Sequence, residues 1–173
     1  MIGAPMRIMK IVGAIICVLL QIILAPYITI GFAMPNFILA FVLVCALLEP
    51  SNPDYILPFV LGLIFDLISA GTIGALTFVC VLFTFVLSKL FILINNDTLF
   101  IPLALLALGC FCSEIAYGFL LILCGMDVSF LEAFMYRMLP CGLYDTVICL
   151  IAYPILLRVL SAQGGPGDIS ILS

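Results

Sequence analysis

The chain is 173 residues long, 67% hydrophobic and only 8% charged, where soluble domains run at roughly 45 to 50% apolar and about 25% charged. A domain of this size has too little interior to hide so much apolar surface, so its solvent is lipid. With no His, no Trp, five basic residues and a net charge of −4, the chain excludes imidazole metal sites, Ser-His-Asp or Cys-His nucleophile pairs and nucleic-acid binding.

At the N-terminus Arg7 and Lys10 precede an apolar run from Ile11 to Ala25. These are the first two parts of a signal peptide, and because further spans follow, the run is expected to stay attached as a signal anchor. Between Ile11 and Leu48 no charged side chain occurs, which is too long for one helix across a core of about 30 Å and enough for two short ones. The break is expected at Pro26 to Pro35, because proline cannot continue a helix without losing a hydrogen bond that lipid does not replace. A polar hairpin, Glu49 to Asp54, separates the next pair of runs.

Carried along the chain, this pattern predicts an all-α integral membrane protein with about six transmembrane helices. The spans fall near residues 10–26, 35–48, 55–70, 73–94, 98–123 and 140–160, within a single membrane domain over 1–162. A short flexible tail, 163–173, holds Gly164, Gly165, Pro166 and Gly167. The second and third spans are short, so they must thin the bilayer, shelter behind neighbours or snorkel at their ends. Ser129 to Met138, with Glu132 and Arg137 among Phe and Met, reads as an interfacial helix.

Basic residues collect at cytoplasmic ends. With Arg7 and Lys10 inside and six crossings, Lys89 and Arg158 also fall inside and only Arg137 outside, which places both termini in the cytoplasm. Tyr27, Tyr55, Tyr136 and Tyr153 are expected near the interfaces. The cysteines at 17, 45, 80, 110, 112, 124, 141 and 149 lack the spacing of a metal or redox site and read as small lipid-compatible residues. No cofactor or metal is expected.

Carboxyls within spans are costly in hydrocarbon and usually face protein, which singles out Asp66, Glu114 and Asp145. Each has a glycine at helical spacing on its own face: Gly62 before Asp66, Gly118 after Glu114 and Gly142 before Asp145. A missing side chain there lets another backbone approach and supply donors. Asp66 and Asp145 are expected roughly 7 Å from the outer helix ends, and Glu114 near the midplane. The plain reading is hydrogen-bonded or protonated glue for the bundle; partner binding is the second, and a proton or ion relay the third. A relay would have to be acid-only, since Lys89 and Arg137 lie near opposite surfaces.

Two local patterns have physical reasons of their own. Pro35 suits the first turn of a helix and Asn36 can satisfy its unpaired N–H groups. Gly62, Asp66 and Ser69 recur at helical spacing on one face, and Gly71 and Gly74 then allow a tight reversal into the fourth span. An ordinary glycine turn beside a buried polar residue accounts for that spacing equally well.

The stretch PNFILAFVLVCALLEP, followed by LGLIFDLISAGTIGALTFVCVLFTFVLSKL, resembles the rod-shape-determining MreD family. That family pairs Pro-Asn at the start of its second span with a later Gly-Leu-x-x-Asp-Leu-x-Ser-x-x-x-x-Gly segment. Here the positions are Pro35, Asn36, Gly62, Leu63, Asp66, Leu67, Ser69 and Gly74, with Gly71 between. The agreement is specific over Pro35 to Leu90. Beyond it the likeness rests on size, span count and VSFLEAFMYRMLP.

The resemblance implies a noncatalytic adaptor of the cell membrane, with a fold similar to the six-helix substrate-binding subunits of energy-coupling-factor vitamin transporters. It implies association with MreC, and through it influence on a wall-synthesis complex of RodA, a class B penicillin-binding protein and MreB filaments. The candidate partner-binding or helix-packing residues are Pro35, Asn36, Gly62, Asp66, Ser69, Gly71, Gly74, Glu114 and Asp145. The outer rim, Tyr27 to Met34 and Asp127 to Arg137, is the surface left for such work. The rival reading is a vitamin-transporter subunit. Such subunits commonly carry Ala-x-x-x-Ala on the first helix, where this chain has Gly13 with Cys17. Asp66→Leu is expected to impair complex formation or cell shape more than Asp168→Ala. Equal behaviour of the two variants in a cell-shape complementation assay removes the reason for singling out the third span.

Overall fold

A helix that is apolar on every side has no face to offer water and must be surrounded, by lipid or by other helices. The computed structural model describes residues 3–29, 33–69, 72–94 and 100–163, and it resolves this choice for the short second segment. In chain order the helices are α1 (Gly3–Ile23), α2 (Phe37–Leu48), α3 (Ile56–Ile68), α4 (Ala75–Ile94), α5 (Phe100–Leu123) and α6 (Phe130–Ala133). A π-helical turn, Phe134–Met138, then leads into α7 (Leu139–Gln163). There is no strand among the described residues.

Helix α2 has the sequence FILAFVLVCALL, and every residue from Ile38 to Leu47 is buried. Its 12 residues reach only about 18 Å of a hydrocarbon core about 30 Å thick. The bilayer does not have to thin around it, because α1, α3, α4, α5 and α7 all pack against it. Those outer helices turn apolar stripes outward instead; on α1, Ile11, Ile15, Leu19 and Ile22 are exposed while Lys10 and Gln21 are buried. Among the described residues, three stretches are long and apolar enough to cross a membrane: Ala75–Ile94, Phe100–Leu123 and Phe130–Val159. At 12 and 13 residues, α2 and α3 are shorter than that.

The closest backbone approach in the bundle is between α3 and α4. A Cβ on Gly62 would stand 2.6 Å from Thr77 Cα, so glycine is what lets the two helices touch. The chain reverses between them through Gly74, whose φ of +97° lies in the left-handed region that side chains with a Cβ avoid. At the opposite end of the bundle, the Lys10 ammonium pairs with Glu49, the C-cap of α2. This joins the start of α1 to the end of α2 where the helix dipole favours a cation.

Several expectations are corrected. The segment Ser129 to Met138 is no separate interfacial helix, because α6 and the π turn run on into α7 as one rod. Pro140 marked a boundary in the sequence, but a proline just beyond a widened turn interrupts no helix, since the turn already breaks the regular hydrogen-bond ladder there. Pro35 is not in the first turn of α2; it precedes the helix, and Asn36 is the N-cap. Tyr153 is buried in the core, unlike the exposed Tyr27, Tyr55 and Tyr136. The tail residues from 164 onward, Asp168 included, lie outside the described residues.

The Gly62 contact makes a testable demand. Gly62→Ala should destabilise the protein by about 1 to 3 kcal/mol, because backbone cannot yield to the new methyl group. Gly109→Ala should cost less, because the flexible end of the Leu87 side chain is what it meets. Thermal unfolding of the two variants in detergent checks the order.

Candidate functional site

The first turn of every α-helix leaves backbone N–H groups without partners, and in hydrocarbon each such group is expensive. Asp66 solves this for α4 from the neighbouring helix. Its carboxylate accepts from the N–H groups of Gly74 at 2.9 Å, Leu76 at 3.1 Å and Thr77 at 3.0 Å, and from the Thr77 hydroxyl at 2.8 Å. Gly62 brings α4 close enough, Asp66 closes its start and Gly74 turns the chain, so these three residues act together. Ser69 does not join them. It is the exposed C-cap of α3, and its side chain hydrogen-bonds Tyr117 on α5 instead. Gly71 lies outside the described residues.

A second cluster closes the start of α2, which begins inside the bundle. Asn36 Oδ1 accepts from the Leu39 N–H at 3.0 Å. The Gln21 side chain on α1 takes the Phe37 N–H at 2.8 Å and donates to the Pro35 carbonyl at 3.2 Å. From α7, Asp145 Oδ1 accepts from the Asn36 N–H at 2.7 Å. Three helices and the segment before α2 therefore meet around the donors of a single helix start.

Glu114 extends this cluster. Cys110, one turn before Glu114, meets Cys149, one turn after Asp145, sulfur to sulfur at 3.3 Å, so the two carboxyls stand level on facing helices. The side chains of Asp66, Glu114 and Asp145 are 1%, 5% and 0% exposed. Gly118 and Gly142 seat the side chains of Met138 and Phe111, not a donor-bearing backbone; only Gly62 has that role. On the other side of Glu114, the Arg137 guanidinium from the π turn lies 5.8 Å from the Tyr117 ring centroid, and Tyr117 meets Phe65 edge-on at 6.4 Å.

Beside Arg137 opens a groove of about 390 Å³, bounded by Gly118, Leu121 and Ile122 on α5, Met126 and Val128 in the following loop, and Glu132, Ala133, Tyr136, Arg137 and Met138. Its walls are apolar apart from Glu132, Arg137 and the Tyr136 ring edge. Among the described residues no group of three or more His, Cys, Asp and Glu is placed to hold a metal ion. Cys110 and Cys149, on α5 and α7, are buried with their sulfurs 3.3 Å apart.

Gln21 and Thr77 were not singled out in the sequence. Gln21 had a usable signal, as the one amide within the apolar run Ile11 to Ala25. Thr77 had none, because a threonine in a span commonly bonds its own helix backbone. Hydropathy alone would make Gln21→Met neutral or better in lipid. The hydrogen bonds predict a loss of about 1 to 3 kcal/mol, the cost of stranding the Phe37 N–H, read by unfolding in detergent.

Against known proteins, a family model described as rod shape-determining protein MreD matches residues 6–162. No curated protein matches the chain, and no solved structure does. The match takes in every helix described above apart from the first three residues of α1 and the last of α7, so the whole bundle with its two polar helix starts belongs to one family unit. The chain is a member of the MreD family of rod shape-determining proteins.

Proposed function

We propose that this protein is a noncatalytic adaptor of the bacterial cell membrane that grips a membrane-spanning or membrane-proximal segment of MreC. Through MreC it acts on the RodA, class B penicillin-binding protein and MreB assembly that builds the lateral wall. The observation that carries this reading is the groove beside Arg137. It is apolar along its length, it carries one cation and one carboxylate to orient an occupant, and it is built on α5 and the π turn next to the buried Glu114–Asp145 cluster. Apolar grooves with a few placed polar groups suit an amphipathic or apolar helix.

The proposed topology has six crossings with both termini cytoplasmic. Lys10 sits at the Glu49 end of the bundle. Lys89 and Arg158, in the second halves of α4 and α7, belong to the same end because those helices run from the Asp66 and Asp145 clusters toward it. Arg137 stands at the opposite end, beside the groove, and in this topology the groove is on the outer side. The candidate residues Pro35, Asn36, Gly62, Asp66, Gly74 and Asp145 are proposed to serve by holding the frame that presents it.

Photo-crosslinking groups introduced at Met126 and Tyr136 should capture MreC from the same genome, and one at Leu93, at the far end of α4, should not. Val128→Trp, which fills the groove, should lower MreC copurification about tenfold or more while leaving insertion intact; one large side chain forced into a binding site costs on the order of 1 to 3 kcal/mol. Normal copurification with a filled groove removes the groove from the reading, and no association at all by copurification or two-hybrid assay removes the adaptor.

A further inference from the structure

Among the described residues, one buried side-chain oxygen has no hydrogen-bond partner. Asp145 Oδ1 takes the Asn36 N–H, but Asp145 Oδ2 has no hydrogen-bond partner although the residue is fully buried. Glu114 stands level with it on the facing helix, because Cys110, one turn before Glu114, and Cys149, one turn after Asp145, bring their sulfurs to 3.3 Å, and both carboxyls are buried there. An ionised carboxylate only accepts. Two of them pressed together away from water repel each other, and each also bears the cost of leaving water.

We propose that Glu114 and Asp145 form a binding site for one proton, shared between the two carboxyls, that ties α5 to α7 and to the start of α2. The proton makes one carboxyl a donor to the other, which gives Asp145 Oδ2 its missing partner. It also leaves a single negative charge on the pair, opposite the Arg137 guanidinium that faces Glu114 from the π turn. The other titratable groups around the pair are Cys110 and Tyr117 on α5, Cys141 and Cys149 on α7, Cys80 on α4 and Asp66 on α3. None of them supplies a second cation. The Asp66 oxygens already accept four hydrogen bonds at the start of α4.

The folded state holds a proton that the unfolded chain releases, so stability falls as pH rises. Full-length protein in neutral detergent should lose about 3 °C of unfolding temperature per pH unit from about pH 5, above the ordinary carboxyl range, up to the pH at which the pair gives up its proton, the size expected for one proton in a domain of this length. Glu114→Gln and Asp145→Asn each put a permanent donor in place of the proton, and each should flatten that dependence. Infrared spectra of the wild type should show a protonated-carboxyl carbonyl band at neutral pH that disappears on raising the pH, a readout that requires no variant. An unchanged pH dependence in both amide variants overturns the proposal, as does absence of the band. Stabilisation by Na⁺ or K⁺ at fixed pH, with no response to pH, assigns the site to a metal cation and overturns it as well.

Discussion

Hydrocarbon offers nothing to a backbone N–H, and in this bundle two helices begin where hydrocarbon or packed side chains surround them. The start of α4 is closed by Asp66 from α3, and the start of α2 by Asn36, Gln21 and Asp145 from three different segments. Each borrowed acceptor does two things. It satisfies donors that would each cost several kcal/mol in lipid, and it fixes one helix against another at a defined height. Van der Waals packing between apolar helices gives little registry of its own in a membrane, so these few polar contacts set how the rods stand relative to each other.

The order of the bundle follows from that. Around α2, which has no polar side chain, the longer helices close a wall, and the helix can be short because its ends never have to reach the headgroups. Its beginning hangs from α1 and α7, and its end is held by the Lys10–Glu49 pair. The α3–α4 hairpin is fastened separately, through the Gly62 approach and the Asp66 cap. In the proposed adaptor role this rigidity matters, because the groove on α5 and the π turn presents one shape only if the helices beneath it keep their register.

The π turn is the place where frame and groove meet. It widens the last helical rod next to Pro140, and it carries Arg137, which stands over Tyr117, faces Glu114 and lines the groove at once. The proposed proton on the buried carboxyl pair would therefore change the charge close to a residue that lines the groove. Deviations from regular helix geometry of this kind are common where a helix does work beyond spanning.

Much of this architecture was legible in the letters. Composition dictated lipid as solvent, the apolar runs and polar breaks marked where helices lie, and Asp66, Glu114 and Asp145 stood out because carboxyls are too costly in hydrocarbon to face it. Pairing was another matter. Nothing in the spacing of Gly62, Asp66 and Ser69 says that the first two clamp α4 while the third reaches Tyr117 on α5, because that depends on which helices pack against α3. Gln21, eleven residues beyond the last charge of its helix, acquires a role only when the start of α2 is set beside it, and Glu114 meets Asp145 only because α5 packs along α7. Local sequence determines which groups must find partners, since that is a property of each group and its solvent; which partner each one finds is decided by tertiary packing, where residues more than a hundred positions apart arrive within hydrogen-bond distance.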